Sequence, residues 1–110
     1  MPLECNTDEY PNGIALHLSG QLTFDEMDEF RRVTDLALSH TPKVLALDLA
    51  GIRYVASAGI SALLNLRKRC EAANTTLRLF AVPKPIVDLL TLTRLDVVFP
   101  RFETVEQAMA

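Results

Sequence analysis

Residues 44–73 read VLALDLAGIRYVASAGISALLNLRKRCEAA, and the succession of patterns inside this stretch decides the fold. Val44 to Leu49 is apolar at every position except Asp48, the pattern of a strand covered on both faces and therefore central in its sheet. Ala50 to Arg53 reads as a turn, Tyr54 and Val55 end the approach, and a helix is expected from about Ala58 to Ala73. Its inner face carries Ile60, Leu63, Leu66, Cys70 and Ala73, and its outer face Ser61, Asn65, Lys68 and Ala72, the stripe of an amphipathic helix.

Toward the C-terminus, Asn74 suits a left-handed cap, and Thr76 to Ala81 reads as another strand. Pro83-Lys84-Pro85 opens a helix from about Ile86 to Thr93, with Pro85 suited to the first turn. On that helix Ile86 and Leu89 are expected in the core, while Val87, Leu90 and Thr91 leave an apolar strip near the turn before the preceding helix. Asp96 to Phe99 (DVVF) reads as a last short strand broken by Pro100, and Thr104 caps a terminal helix over TVEQAMA.

Toward the N-terminus, Leu3–Glu9 and Ile14–Ser19 flank the turn-forming Tyr10-Pro11-Asn12-Gly13 and are expected to pair as a hairpin. Thr23 and Glu26 stand at capping-box spacing, with Leu22 and Met27 placed as a hydrophobic staple. Phe24, Met27, Phe30, Val33 and Ala37 then mark the buried stripe of a helix that Pro42 stops. Strands and helices alternate from the first helix onward. The order implies one α/β domain over residues 1–110: a small, mostly parallel sheet with an N-terminal hairpin and about four helices.

The formal charge of −3 leaves no surplus of cations to neutralise a phosphate backbone, which argues against nucleic acid and for a protein partner. The first residues lack a basic segment followed by an apolar one, and no apolar run approaches the roughly 18 residues of a membrane span, so a cytoplasmic protein without membrane insertion is expected. Cys5 and Cys70 lack C-x-x-C spacing and read as reduced, buried thiols. His17 and His40 have no ligand company in the sequence, so no metal or other cofactor is expected.

Ser57, alone among Ala56, Ala58 and Gly59, opens the central helix. Its most economical role is the N-cap, the hydroxyl oxygen accepting from the amide of Gly59 or Ile60. A nucleophile elbow would require glycine where Val55 stands, and both histidines precede Ser57, which argues against a hydrolase. A phosphate-binding loop is equally unsupported, with one glycine and no lysine in the turn. Ser57 as an acceptor of phosphate is compatible with the physics. The positive end of the helix tolerates the added charge, and the cost falls on a partner packed over Ala56, Ala58 and Gly59.

Several motifs together resemble one family. The apolar strand with Asp48, the serine-x-glycine turn before a leucine-rich helix, LSGQLT at 18–23, PIVDLLTLTRLDVVF at 85–99 and the closing TVEQAMA are similar to STAS-domain anti-sigma factor antagonists. The resemblance runs from about residue 18 to the end of the chain. It implies a single STAS-type domain with no enzymatic activity of its own. It further implies phosphorylation of Ser57 by an anti-sigma factor that is also a serine kinase of the histidine-kinase-like ATPase type. The unphosphorylated form binds and sequesters that kinase, phosphorylation releases it, and a metal-dependent serine phosphatase resets the switch. The implied partner surface is the turn and helix start, Asp48, Ala56, Ser57, Ala58, Gly59, Ile60 and Ser61. Ala56 stands where the family often has an acid, and Ala58 replaces a frequent second hydroxyl, leaving Ser57 the sole acceptor in the turn. The alternative is a STAS module that is never phosphorylated and serves as a scaffold in another signalling or lipid-transport complex.

Overall fold

The computed structural model describes residues 2–110. Five strands form one mixed sheet in the order β1 (Glu4–Tyr10), β2 (Gly13–Leu22), β3 (Val44–Val55), β4 (Thr76–Phe80), β5 (Arg101–Phe102). β1 and β2 are the expected antiparallel hairpin, and every later pairing is parallel. The apolar run at 44–49 therefore does lie in the central strand, where both neighbours cover its edges.

Alternation along β3 divides the core. Leu45, Leu47 and Leu49 join Leu16, Leu18 and Leu79 on the face covered by α1 (Met27–Leu38), α2 (Ser57–Ala72) and α3 (Lys84–Leu92). Val44 and Ala46 join Ala15 and Phe80 on the other face, which α4 (Val105–Met109) covers through Ala108 and Met109. Thr104 caps α4 as expected, accepting from the Gln107 amide at 3.2 Å. Arg78 donates to the carbonyls of Ala108 and Ala110 at 2.7 and 2.8 Å and ties α4 to the sheet. Asn74 adopts the left-handed conformation (φ 58°) expected of it.

Several local expectations are corrected. Ala50 to Arg53 is not a turn: β3 continues to Val55, and the residues beyond those β2 can pair are absorbed as irregularities in the β2–β3 register. Gly51 keeps the strands together there, because a Cβ would meet the Leu18 carbonyl oxygen at 2.9 Å and Ser19 Cβ at 2.8 Å. Thr23 and Glu26 do not form a capping box. The Thr23 hydroxyl donates to Glu26 Oε1, and the Glu26 amide bonds the Thr23 carbonyl at 3.0 Å, closing a 3-10 turn over Phe24–Glu26. That tighter winding rotates Phe24 off the helical stripe and leaves it 80% exposed.

DVVF is likewise not a strand. The amides of Leu95 and Asp96 bond back to Leu90, and those of Val98 and Phe99 to Leu95, so the segment is turns that drive Phe99 into the core. Pro100 breaks no strand but leads into β5, its carbonyl accepting from the Leu79 amide at 3.0 Å, a position that needs no N–H. Ala73 is an exposed C-cap, not a core residue. On α3, finally, Leu90 is fully buried although it was expected in an exposed apolar strip, and Leu92, not named in that strip, is exposed instead.

Candidate functional site

β3 ends at Val55, and α2 begins two residues later. Ala56 is the N-cap, extended (φ −89°, ψ 175°), its amide donating to the Leu22 carbonyl at 3.0 Å and its carbonyl accepting from Ile60 at 3.1 Å. Ser57 is thus the first helical residue and caps nothing, correcting the expectation that its oxygen bonds Gly59 or Ile60. The reason is one of position: a hydroxyl must stand at the N-cap to reach the second or third amide, and that place holds alanine. Two consequences follow. The exposed Ser57 hydroxyl is left uncommitted by the helix start, and the amides of Ser57, Ala58 and Gly59 have no intrahelical acceptor.

Gly59 fixes how closely this turn sits on the sheet. A Cβ there would stand 2.5 Å from the Leu22 carbonyl oxygen and 2.9 Å from both Leu22 Cβ and Val55 Cγ1. The glycine two residues after the serine is therefore a packing requirement of the α2 start. It also brings Ser57 into the lining of a groove of about 640 Å³ between the α2 start and α3. β3 contributes Arg53, Tyr54 and Val55 to it, the turn Ala56 and Ser57, α2 Ile60 and Ser61, and α3 Pro85, Ile86, Leu89 and Thr93. The walls are mostly apolar. Arg53 is the only charged residue in the lining, and among the described residues it forms no salt bridge.

Of the residues singled out in the sequence, Ala56, Ser57, Ile60 and Ser61 meet in this groove. Ala58 is half-buried and Gly59 buried beneath the turn. Asp48 lies elsewhere, on the sheet face that carries Ala46 and away from the groove lining. α3 was expected to present an apolar strip near this turn through Val87, Leu90 and Thr91, but the residues that line the groove are Pro85, Ile86, Leu89 and Thr93. Their signal is the spacing of Pro85, Leu89 and Thr93, four residues apart and hence one stripe of a helix.

Asp48 has a partner that sequence spacing concealed. His17, opposite it in the β2–β3 register, places Nδ1 2.6 Å from Asp48 Oδ2 and Nε2 3.0 Å from Asp8 Oδ2, so one ring bridges β1, β2 and β3. Only the imidazolium donates from both nitrogens. The bond to Asp48, more than any other influence, holds His17 above the usual imidazole range. A raised folded-state value stabilises fully below the unfolded value of about 6.5 and less as pH rises through the folded one. Denaturant titrations should therefore show wild type losing about 1 kcal/mol relative to His17→Ala as pH climbs from 6 to 9, the scale of a part-exposed ion pair. Parallel pH profiles for the two proteins would contradict the bridge.

Among the described residues no helix is long and apolar enough to cross a membrane. A family model for the STAS domain matches residues 4–108. No curated protein sequence matches the chain. Among solved structures, an anti-sigma factor antagonist from Mycobacterium paratuberculosis superposes with a TM-score of 0.85 at 18% identity, over 96% of this chain and 90% of that one. The Bacillus cell fate determinant SpoIIAA in its phosphorylated form gives 0.70 at 14% identity, over 96% of both chains. A sulfate transporter family protein from Wolinella succinogenes gives 0.75 at 22% identity, over 86% of this chain and 80% of that one. At these identities the superpositions establish a shared fold.

Proposed function

Because the chain belongs to the STAS domain family, we propose that it is an anti-sigma factor antagonist that works by partner switching, with Ser57 as its phosphoacceptor. The observation that carries this reading is the position of Ser57, whose exposed hydroxyl has no capping role, in the lining of a mostly apolar groove. An apolar groove suits burial against a protein. A phosphate on Ser57 would set charge against that apolar surface, where it opposes burial.

The proposed cycle has three states. Unphosphorylated, the chain binds and sequesters an anti-sigma factor that is also a serine kinase of the histidine-kinase-like ATPase type. Phosphorylated on Ser57, it releases that partner. A metal-dependent serine phosphatase then restores the binding form. Nothing in the cycle asks this chain for catalysis, and it works in the cytoplasm.

The energetics are within reach. Inverting a 1:99 population takes about 5.5 kcal/mol of differential affinity, and desolvating a phosphate of nearly two negative charges against apolar walls costs several kcal/mol. The α2 start, with three amides lacking intrahelical acceptors, tolerates the same charge without unfolding.

Reversibility tests the reading. Chain phosphorylated by its kinase should lose affinity for it, and treatment with the phosphatase should restore binding in full. Binding that is indifferent to the phosphorylation state would instead mark a constitutive scaffold.

A further inference from the structure

The groove beside Ser57 holds one charge and no counter-charge. Arg53 lines it, no carboxylate does, and none of the described carboxylates pairs with Arg53 in a salt bridge. Of the other cations, Arg31, Arg32, Arg67, Arg69 and Lys84 are tied to carboxylates and Arg78 to the last carbonyls; Lys43, Lys68, Arg94 and Arg101 also form no salt bridge among the described residues but lie outside this groove. Arg53 belongs to β3 and Ser57 to the first turn of α2. They stand four positions apart, at most about 14 Å of fully extended chain, and both line the same groove.

We propose that Arg53 is the internal receptor of the switch: a phosphate on Ser57 is captured by the Arg53 guanidinium of the same chain, and this pair occupies the groove. The inference rests on the reading of Ser57 as phosphoacceptor. A planar, permanently charged guanidinium matches phosphate oxygens two at a time. The apolar walls on one side of the pair lower the local dielectric, which strengthens it over a pair with water on all sides. Phosphorylation then acts twice. It adds charge to a surface the partner must desolvate, and it withdraws the one cation the groove offers an acidic residue of that partner.

The experiment needs no kinase. Phosphoserine is installed at position 57 during synthesis of the full chain, and its second ionisation is followed by phosphorus NMR. The titration midpoint should lie about one pH unit lower with Arg53 present than in Arg53→Ala or Arg53→Gln. Arg53→Lys should recover part of the difference. The helix amides act equally in all four proteins, so the difference isolates Arg53. Equal midpoints would overturn the proposal. Because the phosphate is placed chemically, that result would leave the phosphoacceptor role of Ser57 untouched, and failure of a kinase to modify Ser57 would leave the titration untouched.

Discussion

Gly59→Val should lower the stability of the chain by about 3 kcal/mol, the upper range for forcing volume into a packed site. The first atom added meets the Leu22 carbonyl oxygen at 2.5 Å, and the next nearest atoms belong to Leu22 and Val55, both buried. A backbone oxygen in a parallel ladder cannot swing aside as a surface side chain can. The α2 start must therefore lift from the sheet. Gly59→Ala is the finer test, because alanine in a helix interior gains close to 1 kcal/mol over glycine where space is free. Here the clash should outweigh that gain and leave a net loss of about 1 kcal/mol. Urea unfolding with an unchanged slope reads both values. A stabilised Gly59→Ala would show that the close approach does not exist.

Ser57→Asp should weaken binding to the purified anti-sigma kinase by at least about 100-fold, a cost of about 2.7 kcal/mol, while the isolated chain unfolds at nearly the wild-type midpoint. The two halves have separate causes. In the free protein a carboxylate in the first turn of α2 faces the positive end of the helix, worth a few tenths of a kcal/mol in its favour. In the complex the same carboxylate must be desolvated in the lining of a mostly apolar groove. Ser57→Ala removes the hydroxyl without adding charge, so calorimetric titration should find its affinity close to wild type. A loss shared equally by Asp and Ala would place the hydroxyl itself in the interface and deny the charge its role.

The architecture was legible because patterns with long reach carry it. Six residues at 44–49 identify the central strand, the Pro11-Asn12 turn identifies the hairpin, and the stripe through Leu63, Leu66 and Cys70 identifies the face α2 turns to the sheet. The misread segments share a cause: their pairing is decided by tertiary contacts. Gly51 looks like a turn residue until the Leu18 carbonyl is seen against it. Val97 and Val98 look like a strand until the amides around them are seen to bond backward.

The site was legible to the same degree. Ser57 and the glycine two residues on mark the turn, but the chain alone could not say that Ala56 takes the cap and frees the hydroxyl. Arg53 reads in sequence as the end of a turn and becomes a groove residue only because β3 runs on to Val55. Asp48, drawn into the site by family resemblance, is held by His17 in a register that no local spacing encodes.

The central claim is that Ser57 is the residue the switch modifies. Incubation of the chain with the anti-sigma kinase and ATP, followed by mass spectrometry of the intact protein and its peptides, tests it most directly. The expected result is one phosphate per chain, carried on the peptide that contains Ser57 and absent from Ser57→Ala. No phosphate, or a phosphate that persists on another residue in Ser57→Ala, would contradict it.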